Sequence, residues 1–178
     1  MKTTQHGNKT FTRRHSDIVT SSWATYSDCE KYRYLLRREW DADLPYVNFV
    51  MLNPSTATEL NNDPTVARCE ERAHRMGYGG YAITNIFAYR ATDPRAMKEQ
   101  LDPVGDINNS FILDAAMKAG CVVCAWGVHG SHRGRDYEVE KLLRGVRETI
   151  MVLKLSKSGM PCHPLYLPFN LLPKEWKR

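Results

Sequence analysis

Several residues of this sequence could bind a phosphate or another anion. Ser55 offers a hydroxyl donor after an Asn-Pro pair, and Arg90 offers a guanidinium that fits phosphate oxygens. Thr65 lies where a helix is predicted to begin, and backbone N–H groups at such an end attract anions. Gly127 opens a glycine-containing loop that could approach a phosphate closely. Three of them have a structural alternative: Ser55 could cap a turn, Arg90 could pair with Asp93, and the glycine loop could simply turn the chain.

Four other polar side chains could take part in chemistry or in substrate recognition. Asn53 follows an apolar run, although an Asn-Pro pair also turns a chain without any other role. Asn85 lies inside an apolar run, where a buried amide needs hydrogen-bond partners from a ligand or from the protein. His163 falls in a predicted loop, and an ordinary surface histidine is its alternative. Asp63 is explained by helix capping, with a catalytic role as the alternative.

Apolar runs and turn residues predict the elements that position these side chains. The predicted strands are four short apolar runs, at residues 47–52, 81–87, 121–126 and 149–155. The predicted helices lie between them, at residues 64–76, 108–119 and 135–146. Strand–helix–strand alternation indicates a parallel sheet with helices on both faces. Ligands of such sheets bind outside the carboxyl ends of the strands, where the polar residues above fall.

Length, composition and charge limit the class of protein. The 178 residues fit a flexible basic N-terminal segment at 1–22 and a single α/β/α domain at 23–178. No run approaches the roughly 18 apolar residues of a membrane span, and the amino terminus lacks the apolar core of a secretory signal. We therefore expect a cytoplasmic protein without membrane contact. The net charge of +5 favours a polyanion partner, nucleic acid first.

The cysteines predict neither a disulfide framework nor a metal site. Their number is five, and an odd count in a chain without a secretory signal argues against structural disulfides. Cys121 and Cys124 fall in a predicted strand, where residues three apart point to opposite faces and cannot share one ion. We expect these thiols in the core, and we expect no metal and no cofactor.

The segments FVMLNPSTAT, NDPTVARCEERAHRMGYGG, ITNIFAYRATDP and GMPCHPLYLP resemble an uncharacterised family of bacterial and phage proteins. The label of that family is a domain of unknown function. The resemblance runs from about Tyr32 to the carboxyl terminus.

A more distant resemblance connects the chain with the uracil-DNA glycosylase superfamily. Residues 51–55 (MLNPS) resemble its first motif, which in some branches reads Gly-x-Asn-Pro-Gly. Residues 83–90 (ITNIFAYR) resemble a strand of the thermophile-type branch, Ile-Thr-Asn-Val-Val-Lys-Cys-Arg, and His163-Pro164 resembles the start of its last motif. The implied fold class is α/β, a three-layer α/β/α sandwich around a four-stranded mainly parallel sheet.

This resemblance implies roles for the polar residues. Asn53 would position the attacking water, and His163 would stabilise the negative charge that builds on the departing base. Asn85 would hydrogen-bond the edge of that base, which must be flipped from the stack or presented single-stranded. The residues expected to make other substrate contacts are Pro54, Ser55, Asp63, Thr65, Arg90 and Gly127.

The resulting hypothesis is an N-glycosidase that excises a base, in normal or modified form, from DNA or from a nucleotide. It makes the chain a candidate DNA glycosylase with DNA or a nucleotide as partner. Two alternatives stay open at this point. One is a non-catalytic module of the same fold that binds nucleic acid or a nucleotide, and the other is a phage interaction protein.

Overall fold

The computed structural model describes residues 9–177, and its central feature is one mixed sheet of eight strands. The strands are β1 (Thr10–Ser16), β2 (Ser21–Ser27), β3 (Arg33–Glu39), β4 (Tyr46–Met51), β5 (Gly80–Asn85), β6 (Cys121–Cys124), β7 (Met151–Val152) and β8 (Lys174–Glu175). The α-helices are α1 (Pro64–Arg75), α2 (Pro94–Lys98), α3 (Asn108–Lys118) and α4 (Arg135–Val146), and 3-10 helices span Val128–Gly134 and Pro164–Tyr166. Across the sheet the order is β1-β2-β3-β5-β4-β6-β7-β8.

The predicted fold class, a three-layer sandwich around a four-stranded mainly parallel sheet, is wrong. The sheet has eight strands, and its antiparallel pairings, four against three parallel ones, are β1–β2, β2–β3, β3–β5 and β7–β8. The parallel pairings join β5, β4, β6 and β7 in that order, and these four strands coincide with the predicted apolar runs. The antiparallel strands escape prediction because their sequences carry no long apolar run.

The amino-terminal part of the described chain is the largest departure from prediction. Residues 1–22 are expected to be a flexible basic segment, but Thr10–Ser16 form β1 and pair with β2 over the full length of the strand. Apart from Phe11, which stacks on Tyr26, the side chains of β1 are exposed, so main-chain hydrogen bonds provide most of its attachment. Residues 1–8 lie outside the described residues.

Helices cover both faces of the parallel strands. On one face α1 buries Val66, Cys69 and Ala73 beside Phe49 of β4. On the opposite face α3 and α4 pack their apolar side chains against the sheet. Cys124 packs on the α3–α4 side and Cys121 on the α1 side. None of the helices within residues 9–177 is long and apolar enough to cross a membrane.

Arginine side chains tie the long connections to the sheet and helices. In the described chain nine arginines donate side-chain hydrogen bonds to main-chain carbonyls: Arg33, Arg38, Arg68, Arg72, Arg90, Arg133, Arg135, Arg144 and Arg147. Carbonyls in irregular segments lack the N–H partners that helices and sheets supply. These guanidinium groups supply the missing hydrogen-bond donors. Several of the arginines behind the positive net charge therefore have a structural role as well.

Arg72 is the clearest example, because this one side chain anchors several carbonyls of an irregular segment. It is 2 % exposed on α1, and its guanidinium donates to the carbonyls of Leu167, Pro168 and Leu171 at 2.9, 3.0 and 3.1 Å. The segment after the Pro164–Tyr166 turn has no regular secondary structure until β8. Arg72 thus fixes the path of the chain that follows His163.

Replacing Arg72 with alanine should lower the free energy of unfolding by about 2–4 kcal/mol, because three carbonyls lose a charged donor. Urea unfolding monitored by circular dichroism measures the change. The matched control is Arg75→Ala on the same helix, where the side chain is 53 % exposed and paired with Glu71. That control should cost less than about 1 kcal/mol. Equal losses in the two variants would contradict the role given to the carbonyl contacts.

Candidate functional site

The carboxyl ends of β4 and β6 lie where the chain leaves the sheet in opposite directions. β4 pairs in parallel with β5 on one side and with β6 on the other. The connection after β4 leads to α1 on one face, whereas the connection after β6 leads to α4 on the other face. Such a divergence opens a crevice between neighbouring strands, and ligands of α/β sheets bind there. Asn53 follows β4 and Gly127 follows β6, so both lie in the loops where such a crevice is expected, and we use the word crevice for the region between these loops.

Asn53 is held in one orientation. Its Nδ2 donates to the carbonyl of Ala91 at 2.7 Å and to the carbonyl of Pro54 at 3.1 Å. Two carbonyl acceptors assign the amide, because Oδ1 in that place could not donate to them. The arrangement leaves Oδ1 of this half-buried side chain as an acceptor. An acceptor fixed in this way can orient a water molecule.

Pro54 and Ser55 connect the loop after β4 with the loop after β5. The carbonyl of buried Pro54 accepts a hydrogen bond from the Ala91 N–H at 2.9 Å. The hydroxyl of half-buried Ser55 lies 3.5 Å from that of Thr92. Thr92 therefore joins the rim of the crevice, although no motif in the sequence singles it out.

Gly127 and His163 meet at the other side of the crevice. Gly127 has φ 73° and ψ −177°, a backbone conformation that is almost restricted to glycine. Its N–H donates to the Pro161 carbonyl at 2.8 Å and so draws the carboxyl-terminal loop towards β6. A Cβ placed on Gly127 would lie 3.6 Å from the Cβ of His163. The structure thus brings these two predicted site residues together.

His163 is poised as a neutral hydrogen-bond donor. Its Nδ1 accepts a long hydrogen bond, 3.4 Å, from the N–H of Leu165. In the neutral imidazole the proton then resides on Nε2. Burial lowers the pKa of His163 below its ordinary value of 6.5, and the Asp63 carboxylate offsets part of that effect. The neutral form with an Nε2 donor is therefore the main form at neutral pH.

Asp63 and Thr65 lie at the start of α1. The Asp63 carboxylate caps the helix by accepting from the Val66 N–H at 2.9 Å, and it also accepts from the Ala57 N–H at 3.3 Å. The structural explanation of Asp63 as a helix cap is thus the one observed. Thr65 is half-buried in the first turn. Asp63 still reaches the site, because its charge acts on the His163 imidazole.

Asn85 is the last residue of β5 and is 2 % exposed. Its main-chain carbonyl accepts a hydrogen bond from Nδ2 of Asn108 at 2.8 Å. Its side-chain Oδ1 is buried and has no hydrogen-bond partner among the described residues. A buried amide oxygen without a donor is costly, so this position fits a ligand or a water better than a finished structural network.

The guanidinium of Arg90 contacts residues outside the crevice loops. Its guanidinium donates to the carbonyl of Glu30 at 3.1 Å and lies 5.2 Å from the centre of the Tyr26 ring. It therefore ties the loop after β5 to the turn between β2 and β3. The expected alternative partner, Asp93, instead pairs with Arg95 at 2.8 Å.

The loops after β5 and β6 bring together polar residues that sequence reasoning did not combine. Nζ of Lys98, at the end of α2, lies 3.1 Å from Nδ1 of His129. The rings of Phe87 and His132 lie 5.9 Å apart. The signal available in the sequence was the Asp-Pro cap of α2, which places Lys98 one turn further along a helix.

Two cavities lie outside this crevice. One, of about 460 Å³, is a groove between α3 and α4 lined by Leu113, Leu142 and Val146. The other, of about 200 Å³, lies beside Trp23 of β2. Within residues 9–177, no group of three or more His, Cys, Asp or Glu residues is arranged to hold a metal ion.

Replacing Gly127 with alanine should lower the free energy of unfolding by about 1–3 kcal/mol, because alanine rarely adopts this backbone conformation. The matched control is Gly145→Ala in α4, where a new Cβ meets no atom within 4 Å. Alanine favours a helix over glycine, so that control should gain up to about 1 kcal/mol. Urea unfolding measures both changes, and a neutral Gly127→Ala variant would contradict the predicted strain.

The low pKa of His163 makes stability depend on pH. Below pH 6.5 the unfolded chain binds a proton at His163 more readily than the folded protein does, so this contribution is lost as the pH falls through the folded pKa. His163→Gln should therefore reduce the loss of stability between a pH above 6.5 and a pH below it. Urea unfolding at both pH values measures this, with His15→Gln at an exposed position of β1 as the control. The same pH dependence in His163→Gln and wild type would overturn the assignment.

Comparison with protein families identifies the family of the chain. Residues 33–165 match the model of a family described as a protein of unknown function, DUF1643. No curated protein and no solved structure matches the chain. The matched segment runs from β3 to the turn after His163 and includes all of the crevice residues described above. Because the match covers most of the 178 residues, the chain belongs to the DUF1643 family of proteins of unknown function.

Proposed function

We propose that this protein is an N-glycosidase of the uracil-DNA glycosylase type, which excises a base from DNA or from a nucleotide by water attack at the sugar. The proposal is supported by two complementary side chains, one in the loop after β4 and one in the carboxyl-terminal loop that contacts Gly127 after β6. Asn53 presents an amide oxygen that can accept from water. His163 presents a neutral Nε2–H that can donate to a departing base.

The proposed reaction uses these two groups without a strong base. Water, held by Oδ1 of Asn53, forms a bond to the anomeric carbon while the carbon–nitrogen bond to the base breaks. The electron pair of that bond leaves with the base, and the excess proton of the attacking water passes to solvent. His163 donates a hydrogen bond to the base as its negative charge develops. A neutral donor that is already in place stabilises the transition state more than the ground state.

Asn85 is assigned to the floor of the base pocket. It follows Ile83 by two residues on β5, so its side chain points to the sheet face that is shared by Ala57 of the loop after β4. A donor on the edge of the base would satisfy its buried Oδ1. Pro54, Ser55 and Gly127 shape the walls, whereas Arg90 is assigned a structural role.

A non-catalytic base reader is the second candidate. This candidate is favoured because the carboxylate of Asp63, whose charge acts on His163, already accepts hydrogen bonds from two main-chain N–H groups as a helix cap. A reader would keep the crevice and the contacts to the base. It would bind the base without breaking the bond to the sugar.

The experiment is a glycosylase assay on labelled single- and double-stranded oligonucleotides that carry uracil, hydroxymethyluracil, hypoxanthine or a thymine mismatch. Abasic sites, cleaved by alkali, report turnover. We expect activity on at least one substrate, and losses of roughly 100-fold or more in Asn53→Ala and His163→Ala. Asn170→Ala and His15→Ala, at exposed positions outside the crevice, should retain wild-type activity.

The outcomes separate the candidates. Cleavage that survives in both crevice variants would contradict the assigned roles. Binding of a base-modified oligonucleotide without cleavage, with the binding lost in His163→Ala, would support the reader. Neither binding nor cleavage of any substrate would overturn both functions.

A further inference from the structure

Cations and aromatic rings alternate in a row that runs from β1 across β2 and β3 to β4. Arg14, Trp23 and Arg37 are direct neighbours on β1, β2 and β3. The guanidinium carbons of Arg14 and Arg37 lie 5.8 and 5.0 Å from the centre of the Trp23 ring. Arg37 also lies 4.0 Å from the centre of the Tyr46 ring. We call these four side chains the arginine–aromatic row.

The cavity of about 200 Å³ lies at the end of this row, between the sheet and α3. Its walls include three aromatic rings, those of Trp23, Tyr46 and Phe111. Pockets for drug-sized molecules usually measure about 300–1,000 Å³, so this cavity suits one small planar ring. Aromatic walls favour a flat, polarisable ligand such as a nucleobase.

Arg37 offers the cavity an unsatisfied donor. Its terminal nitrogen pairs with Glu39 at 2.6 Å, whereas its Nε is buried and has no hydrogen-bond partner among the described residues. A buried donor without an acceptor costs free energy. A ring carbonyl or ring nitrogen of a ligand would supply the missing acceptor.

Charges at the mouth favour a phosphate. Lys118 and Asp114 of α3 line the cavity and pair with each other at 2.6 Å, with both side chains more than half exposed. On the sheet side Arg37 is paired with Glu39, whereas Arg14 beside Trp23 adds a further cation, so the net positive charge of the surroundings comes from Arg14. A nucleotide fits this arrangement, because its base would lie in the cavity and its phosphate would lie outside it.

We propose that this cavity binds the base of a nucleotide, either a free mononucleotide or the end of a single strand, with its phosphate near Arg14 and Lys118. Tyr46 begins β4, whereas Asn53 follows the carboxyl end of that strand, so this site is separate from the crevice. The proposal does not rest on the glycosidase proposed above.

Nuclear magnetic resonance of the full chain tests the site directly. The signals to follow are the indole N–H of Trp23 and the Nε–H of Arg37. The probes are uridine and adenosine monophosphates, the corresponding nucleosides, inorganic phosphate, benzoate and a single-stranded oligonucleotide. Nucleotides should move both signals at concentrations up to about 10 mM, which corresponds to weak binding. Phosphate or benzoate alone should leave them unmoved.

Two variants sharpen the result. Arg14→Ala should weaken nucleotide binding roughly two- to fivefold and leave nucleoside binding unchanged, because an exposed ion pair contributes little. Leu35→Trp, which fills the cavity from its wall, should abolish binding of both. The proposal is overturned if no nucleotide or nucleoside moves the Trp23 and Arg37 signals, or if benzoate moves them as strongly. Shifts confined to residues around Asn53 and His163 would also overturn it while supporting the crevice.

Discussion

The hydrogen bond from an arginine side chain to a main-chain carbonyl is the interaction on which this fold depends. The connections after β4, β5 and β7 are long and mostly irregular, so their carbonyls find few partners in neighbouring strands. Arg33 and Arg38 of β3 donate to the loop after β4, and Arg135 donates to the loop after β5. A guanidinium carries five N–H groups in a fixed plane and can serve several carbonyls at once. The same bonds that complete the fold therefore hold the loops that border the crevice.

Sequence patterns anticipated the parallel strands and the helices between them, because apolar runs and helix caps are local signals. Asp63 and Pro64 at the start of α1 are examples, since both act within one turn. The antiparallel strands could not be anticipated in the same way. β1 is exposed and polar, and its pairing with β2 depends on main-chain bonds that leave no pattern in residue type. The fold class was predicted from the parallel strands and the helices alone, and it was therefore wrong for the eight-stranded sheet.

At the candidate site, too, some features follow from local sequence whereas others depend on residues far along the chain. The positions of Asn53 and Gly127 after buried strands could be read from the sequence, and these strands, β4 and β6, are parallel neighbours in the sheet. The orientation of the Asn53 side chain could not be read from the sequence, because it depends on the Ala91 carbonyl, 38 residues further along the chain. Arg90 has a partner that local sequence does not reveal. Its charge suggested a ligand, but the turn around Glu30 supplies an acceptor within reach.

The two edges of the sheet bear on how the protein behaves at high concentration. An open edge offers unpaired main-chain groups to a strand from another molecule, which is how ordered aggregates begin. One edge here is β1, with exposed Arg13, Arg14 and His15, and the other is β8, which has only two residues. Arg13 is paired with Glu30, but the charge of Arg14 disfavours pairing with a second copy of β1, and β8 is too short to template a long pairing. The positive charge of the amino-terminal strand thus protects an open sheet from fibrous self-association.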